Sequence, residues 1–305
     1  MKKIAYRILT IIAWLVVLVL AACNVQSSQS ERVSYTESAM SQAKGCEQLA
    51  ENTSGATFVM LNTQSSQLLV CNPVRAQMPY VPASTFKVPH ALIALATGVA
   101  DGPEHRIAWD GKTRAVPVWN QATTLATGIT HSTVWYYQHI AREVGYQRMQ
   151  QWVDALEFGN SNIGSIDDLT HFWLDGALRI SALEQVIFLD KLRRRVLPVD
   201  TNAQQLVAQM MRVAPNPGSV TLRAKSGLVL PIDPRTGDIS NAEPIVSRLS
   251  SVNRVGWYVG WVEQSNRKRA DIVFALNLDI SHSADIGKRQ ALSLMLLEAN
   301  GVVFN

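Results

Sequence analysis

The sequence predicts an α/β fold of the α+β type, with a central antiparallel sheet flanked by terminal helices and a second, mostly helical lobe. Three observations support this prediction. Two strand-like segments lie within residues 56–71, helix-like segments dominate residues 85–213, and three more strand-like segments precede a last helix. Strands from both ends of a chain can share one sheet when the terminal helices cover it. We expect a functional site in the cleft between the sheet and the helical lobe.

The N-terminal elements follow from hydrophobic periodicity. A helix-like run near residues 36–51 comes first. The segments "ATFVMLN" and "QLLVC" then predict a β-hairpin, because apolar and β-branched residues flank a short polar turn. The next predicted helix covers residues 85–98, with Gly98 placed near its end as a C-cap.

The remaining elements are predicted in the same way. Residues 109–128 show no regular pattern, and further helices are predicted at 132–144, 147–156, 182–195 and 203–213. The segments "VTLRAKSG", "VGWYVGWV" and "ADIVFALNL" predict strands, because they are rich in β-branched and aromatic residues. The final predicted helix, at residues 286–300, stops at Gly301.

The N-terminal segment is predicted to lie outside the fold. A basic head precedes an apolar run over residues 8–22. A membrane-spanning helix needs about 20 apolar residues, so this shorter run indicates a secretion signal. The run ends in Leu-Ala-Ala-Cys, which resembles a bacterial lipobox and implies a lipid on Cys23. Ordinary signal cleavage nearby is the alternative.

These observations predict a domain organisation and a location. Residues 1–22 form a lipoprotein-type signal peptide, residues 23–35 a polar tether that cannot pack, and residues 36–305 the folded domain. The protein is therefore expected to be exported to the periplasm and held at the membrane by its N-terminal lipid.

Charge and motif content argue against nucleic-acid and metal sites. The formal net charge is +4, and its densest basic cluster ends a predicted helix at Lys191, Arg193, Arg194 and Arg195. Cations at a helix C-terminus are favoured by the helix dipole, which explains the cluster without a nucleic-acid partner. We find no zinc-like Cys/His spacing and no phosphate-binding glycine loop. We therefore expect no metal and no bound organic cofactor.

The cysteines leave one question open. If Cys23 carries lipid, Cys46 and Cys71 remain as a pair in an oxidising compartment, where disulfides form. Two free, half-buried thiols are the alternative.

The pattern Ser-x-x-Lys marks a candidate nucleophile. It occurs at Ser41 to Lys44, Ser84 to Lys87 and Ser265 to Lys268. Ser84 alone precedes a strongly apolar predicted helix, where residues three apart share a face, so Lys87 Nζ is expected beside Ser84 Oγ. Backbone amides at the helix start would favour an oxyanion there. The alternative is a helix-capping serine and a lysine that extends to water.

Two more fragments follow in order. Ser132 begins a predicted helix in "HSTVWYYQ", with Val134 two residues later. Lys225, Ser226 and Gly227 end a predicted strand, where a lysine and a hydroxyl suit a substrate carboxylate and glycine allows a ligand to approach the backbone. An edge strand that ends in a turn is the alternative. Each fragment is weak by itself, so their common order carries more weight.

The ordered set resembles the class D, oxacillinase-type serine β-lactamases, a branch of the penicillin-recognising enzymes. The segments "FGN" at residues 158–160, "FWLDGALRIS" at 172–181 and "GWYVGWVE" at 256–263 resemble the same family. The likeness covers residues 55–303. It implies a β-lactamase/transpeptidase-like fold, hydrolysis of β-lactam antibiotics and resistance to penicillins.

The resemblance also implies catalytic roles. Ser84 would attack the lactam carbonyl and form an acyl-enzyme. Lys87 would be carboxylated by carbon dioxide or bicarbonate and act as general base. The indole N–H of Trp173 would donate to that carbamate, and Val134 and Leu174 would be further apolar walls of the pocket.

The remaining implied roles concern the substrate. Ser132 would relay a proton toward the lactam nitrogen, supported by Lys225. The residues implied to bind substrate are Ser226, Gly227, Leu228 and Arg289, with the Leu228 and Ser84 backbone N–H groups as the oxyanion hole. Arg289 would anchor the substrate carboxylate, although Lys288 is adjacent and a surface arginine is the alternative.

Two departures from the common family pattern bear on substrate range. Phe158 stands for the usual tyrosine and Ser226 for the usual threonine, a combination that implies some carbapenem turnover. Residues 228–255 are longer than the usual connection and are predicted to form a loop that reshapes the site. The alternative function is a penicillin-binding or sensor protein of the same fold that is acylated but not deacylated.

Overall fold

The computed structural model describes residues 40–53, 55–213, 220–229, 254–264 and 269–304. The predicted signal peptide, Cys23 and the tether lie outside these ranges, as do Ser265 and most of the predicted loop at 228–255. Among the described residues, no helix is long and apolar enough to cross a membrane.

A six-stranded sheet joins the two ends of the described chain. The strands are β1 (Met40–Gln42), β2 (Ala56–Asn62), β3 (Leu68–Cys71), β4 (Arg106–Ile107), β5 (Thr123–Thr124), β6 (Val220–Leu228), β7 (Arg254–Gln264) and β8 (Ile272–Ile280). The main sheet has the order β1-β3-β2-β8-β7-β6, and β4 and β5 pair separately. The hairpin and the C-terminal strands meet where β2 pairs antiparallel with β8, so the predicted central sheet is confirmed.

The N-terminal edge of the sheet differs from the prediction. In place of one helix near residues 36–51, β1 pairs parallel with β3 and a shorter helix follows at Cys46–Asn52. Gly45 separates the two elements with φ 87°, a left-handed conformation that glycine adopts at little cost. Cys46 and Cys71 are joined in a disulfide, which answers the question the sequence left open. Tertiary pairing thus overrides the local helical pattern.

The helices otherwise lie close to their predicted places. They are α1 (Cys46–Asn52), α2 (Pro73–Gln77), α3 (Lys87–Ala96), α4 (Leu125–Thr130), α5 (Val134–Val144), α6 (Tyr146–Ala155), α7 (Ala182–Arg194), α8 (Thr201–Met210) and α9 (Asp285–Ala299). The sequence missed α2, which begins at a proline and is capped by Asn72. It also missed α4, which begins inside the segment predicted to be irregular and is capped by Thr124.

Helices cover the sheet and form the second lobe. On one face, Leu296 and Leu297 of α9 share an apolar core with Phe58 and Phe274 of the sheet. Helix α7 packs against β2, β7 and β8. Helix α3 contacts α4, α5, α6 and α8, while the turn that precedes it contacts β6 and β7. The start of α3 therefore lies where the sheet meets the helical lobe.

Candidate active site

Ser84 lies in a tight turn at this junction. The turn is a 3-10 helix, Ala83–Phe86, that continues directly into α3. Side chains three residues apart nearly eclipse one another in such a helix. Lys87 Nζ donates a hydrogen bond to Ser84 Oγ over 2.9 Å, so the predicted adjacency is present. Ala83 has φ 50°, a left-handed conformation that is uncommon for residues other than glycine and clusters at functional sites.

The Lys87 side chain is buried completely, with 0% of its surface exposed. Burial, and to a smaller extent the positive charge of Lys225, hold the pKa of Lys87 well below its usual value. Water would solvate an ammonium group better than this site does, so the neutral amine is favoured. A neutral amine is the form that can act as a base or react as a nucleophile.

An aromatic ring and buried apolar side chains lie around the start of α3. The Lys87 nitrogen lies 5.5 Å from the ring centroid of Tyr137, on α5. Val134 lies three residues earlier on the same helix face and is buried. Trp173 and Leu174 are buried as well. The sequence prediction named Val134, Trp173 and Leu174 but missed Tyr137, whose spacing from Val134 was the available signal.

Several buried polar atoms, on the helix of Lys87 or on segments packed against it, have no hydrogen-bond partner within the described chain. They are Trp173 Nε1, Tyr137 Oη, Thr133 Oγ1 and both ring nitrogens of His90. Buried polar atoms in folded proteins nearly always have a partner. We call this set, together with Lys87, the Lys87 pocket.

Ser132, from the second sequence fragment, meets Lys225, from the third, where the helical lobe faces the sheet. Ser132 has φ 55° and lies just before α5, which begins at Val134. Lys225, on β6, donates hydrogen bonds to Ser132 Oγ and, over 2.9 Å, to the backbone oxygen of Ser226. Burial, followed by the charge of Arg289, lowers the pKa of Lys225 to about 7. Tertiary structure therefore brings Ser132 and Lys225 together although they lie 93 residues apart.

Gly227 permits a close approach, but to the protein itself. A Cβ atom at this position would lie 3.0 Å from the backbone oxygen of Pro82 and 3.1 Å from Cγ2 of Thr85. The glycine thus lets β6 pack against the turn that carries Ser84. The predicted approach of a ligand to its backbone stays a prediction.

Arg289 reaches the same strand from α9. Its guanidinium donates to the backbone oxygen of Gly227, and its Nε donates to Ile286 O over 2.8 Å. Lys288 instead pairs with Asp285 over 3.0 Å and donates to Asn52 O. Of the two neighbouring cations, Arg289 is therefore the one that contacts β6.

A glycine missed by the sequence prediction makes room for Arg289. Gly256 on β7 lies opposite Leu228, and a Cβ atom there would lie only 2.6 Å from Cδ of Arg289. The Leu228 side chain packs against the core of the sheet.

Comparison with known proteins decides the family. The chain matches the penicillin binding protein transpeptidase domain over residues 47–298. It is 36% identical to β-lactamase OXA-48 of Klebsiella pneumoniae over 254 residues, which are 83% of this chain and 86% of that protein. It is 33% identical to β-lactamase OXA-5 of Pseudomonas aeruginosa over 294 residues, 96% of this chain and 98% of that protein.

The solved structures agree. The class D β-lactamase FUS-1 from Fusobacterium nucleatum subsp. polymorphum has a TM-score of 0.75 at 29% identity, covering 86% of this chain and 100% of that one. The class D β-lactamase YbXI from Nostoc has a TM-score of 0.72 at 31% identity, covering 82% and 95%. The chain belongs to the class D β-lactamases. Its relatives support β-lactam hydrolysis and antibiotic resistance, and enzymes of this class need no metal cofactor.

Other sequence features of this class D β-lactamase have structural explanations. Phe158 is buried. Its ring lies 5.5 Å from the ring of Phe86, which is two residues after Ser84 in the sequence. Ser41 lies on the edge strand β1, away from an apolar helix start. The described residues contain no group of three His, Cys, Asp or Glu side chains that could hold a metal.

The basic cluster at the end of α7 is paired within the protein. Lys191 contacts Glu157 over 2.7 Å, and Arg193 contacts Asp190 and Asp271 over 2.8 and 3.1 Å. Arg195 ends the helix in a left-handed conformation. These contacts support the prediction that the cluster completes a helix.

Proposed function

We propose that this β-lactamase hydrolyses penicillins through an acyl-enzyme on Ser84, with a carboxylated Lys87 as general base. The observation that carries the proposal is the Lys87 amine, fully buried and 2.9 Å from Ser84 Oγ. An ordinary lysine, with a pKa of about 10.4, would be a cation and could not accept the serine proton at neutral pH. The low pKa of Lys87 removes that obstacle.

The residues around Lys87 fit a carboxylated side chain. A neutral amine can bond to the carbon of carbon dioxide, with one N–H proton leaving to solvent. The product is an anion that needs hydrogen-bond donors once it is buried. Trp173 Nε1 is a buried donor without a partner among the described residues, and its indole packs against Phe86 and His90, which lie next to and three residues after Lys87.

The chain's own side chains divide the proton transfers. When carboxylated, Lys87 supplies a carboxylate that takes the Ser84 proton and later activates the hydrolytic water. Ser84 Oγ bonds to the lactam carbonyl carbon while the lactam C–N bond breaks. Ser132 passes a proton to the leaving nitrogen, and the ammonium of Lys225 lowers the cost of charge on Ser132 Oγ, to which it donates.

Substrate charge is bound on β6. The backbone N–H groups of Ser84 and Leu228 stabilise the oxyanion. Ser226, beside Lys225, binds the substrate carboxylate, and the Arg289 guanidinium anchors it. Arg289 already contacts this strand at Gly227.

The proposal extends to location and substrate range. Export to the periplasm and a lipid on Cys23 follow from the N-terminal sequence. Phe158 and Ser226 motivate turnover of carbapenems. Steady-state assays with imipenem are expected to show hydrolysis, and none above background would remove that part of the proposal.

Intact mass spectrometry tests the mechanism. The purified protein is mixed with a penicillin, with and without added bicarbonate. We expect an adduct that forms and then clears, and clears faster with bicarbonate. An adduct that persists in both conditions would instead indicate the alternative, a penicillin-binding or sensor protein that is not deacylated.

A further inference from the structure

His90 lines the Lys87 pocket. It lies three residues after Lys87 on α3, and residues three apart share a helix face. The imidazole centroid is 5.1 Å from that of Tyr137 and 5.2 Å from that of Trp173. The Tyr137 ring also borders the Lys87 amine, and none of the His90 surface is exposed.

Both ring nitrogens of His90 lack a partner within the described part of the chain. Burial, followed by the charge of Lys87, lowers the pKa of His90 to about 3, so its ring is neutral at physiological pH. A neutral imidazole carries one N–H donor and one acceptor nitrogen. An unsatisfied pair of this kind among buried aromatic rings indicates that a partner is bound there in the working enzyme.

The carboxylated Lys87 is the partner that this geometry suits. Two carboxylate oxygens together accept about four hydrogen bonds. The Ser84 hydroxyl and Trp173 Nε1 use only part of that capacity. A neutral N–H donor adds a hydrogen bond without placing a second cation beside Lys225, whereas a protonated histidine would.

We propose that His90 is a positioning residue, whose imidazole N–H holds the carboxylate of carboxylated Lys87 and so lowers the concentration of carbon dioxide that the enzyme needs. This inference rests on the proposed function, because it requires carboxylation of Lys87. It assigns His90 a role in maintaining the base, with no contact to the antibiotic.

The test measures carboxylation directly, apart from activity. Carbon-13 NMR of the full chain, titrated with ¹³C-bicarbonate, reports the concentration at which half of Lys87 carries the carbamate. His90→Phe keeps an aromatic ring without an N–H. We expect this variant to need at least about tenfold more bicarbonate for half carboxylation, because it loses a hydrogen bond to a charged group. His90→Asn or His90→Gln, which restore a donor, are expected to recover much of the affinity. His139→Phe, at an exposed position on α5, is the matched control and should equal the wild type.

A measurement on the wild-type sequence covers the case in which His90→Phe does not fold. With ¹⁵N-histidine labelling, the His90 N–H proton resonance should shift when bicarbonate is added to carbon-dioxide-free protein. The same addition to Lys87→Ala should leave it unchanged. A carbamate signal without any shift of the His90 resonance would overturn the role of His90.

The remaining outcomes separate the two proposals. A carbamate signal whose bicarbonate dependence is equal in wild type and His90→Phe overturns this inference alone. An equal loss in the Phe, Asn and Gln variants would mean that His90 only packs. No carbamate signal in the wild type at saturating bicarbonate would overturn the proposed general base, and the role of His90 with it.

Discussion

Two buried lysines lie where the sheet meets the helical lobe, and their surroundings differ. Lys225 donates to Ser132 Oγ and to the backbone oxygen of Ser226, on a strand held in a paired sheet. Lys87 contacts Ser84 Oγ, while the polar atoms around it, such as Trp173 Nε1 and His90 Nδ1, lack partners within the described chain. Both lysines have a lowered pKa, mainly because of burial.

The difference indicates which site is complete. The hydrogen bonds that Lys225 donates already satisfy its amine. Its proposed role therefore depends only on whether that amine is protonated. The Lys87 pocket presents more donors than a lysine can use, since an amine offers one lone pair at most. Unsatisfied donors around a neutral amine are what a carboxylated lysine would require, so the contrast itself supports the proposed modification.

Removing the Lys87 amine should have the largest effect. Under the proposed mechanism, Lys87→Ala loses its general base, and we expect deacylation to slow about 1000-fold. Intact mass after mixing with a penicillin would show any Ser84 adduct persisting. Lys191→Ala, which alters a partly exposed lysine paired with Glu157, is the control. Turnover within a few-fold of wild type in Lys87→Ala would place the base elsewhere.

Lys225→Ala should have a smaller effect, on a different step. The variant loses the donor to Ser132 Oγ, so acylation is expected to fall about 100-fold. Rapid-quench mass spectrometry would measure the rate at which the adduct appears, separately from its decay. If the adduct forms at the wild-type rate and only its decay slows, the proposed division of labour between the two lysines is wrong.

Arg289→Ala tests the substrate end of the Lys225 strand. Loss of a charge-assisted contact to the substrate carboxylate should raise KM about tenfold with a smaller change in kcat. Lys288→Ala is the matched control, because that neighbour faces Asp285 and Asn52. Thermal unfolding of both variants would show whether the lost contact to Gly227 destabilises the fold, so that this effect can be separated from the change in KM. Equal KM values for the two variants would remove Arg289 from the site.

The pH dependence of carboxylation should be the mildest effect near neutral pH. Only the neutral Lys87 amine bonds to carbon dioxide, and its pKa lies well below the usual value. Forming the carbamate also releases a proton, so at constant dissolved carbon dioxide its occupancy should rise with pH until Lys87 is saturated. Below the pKa of the amine the loss toward acid becomes steeper, because the ammonium must first lose a further proton. A lowered pKa therefore leaves only the shallower dependence near neutral pH. Carbon-13 NMR at constant dissolved carbon dioxide would measure it. A steep loss of carbamate that begins above neutral pH would contradict the lowered pKa, and occupancy that rises toward acid pH would contradict carboxylation of the neutral amine.

Much of the site could be predicted because its first contact is local. Ser84 and Lys87 lie three residues apart at a helix start, so helical geometry alone places them together. Five of the six strands of the main sheet were predicted from the β-branched, apolar and aromatic residues that each segment carries by itself. The helix predicted near residues 36–51 failed for the opposite reason, since β1 exists only through its pairing with β3.

The residues that sequence reasoning missed act through distant contacts. In the sequence, Tyr137 and His90 cannot be told from ordinary core residues. Only the folded structure shows that they pack with Trp173 close to Lys87. Gly256 resembles any strand glycine until the Arg289 side chain crosses it. Neither hydrophobic pattern nor spacing encodes which residues from separate elements will share a pocket.

The sequence by itself determined that Ser84 and Lys87 lie side by side, the order of the fragments and the elements that carry them, because each depends on residues a few positions apart. Tertiary structure alone decided that Lys225 meets Ser132 and that Arg289 rather than Lys288 reaches β6. It also gathered Trp173, Tyr137 and His90, whose buried polar atoms have no partner among the described residues. Those contacts depend on sheet register and on helix packing against the sheet. Both are set by burial of apolar surface over the whole domain.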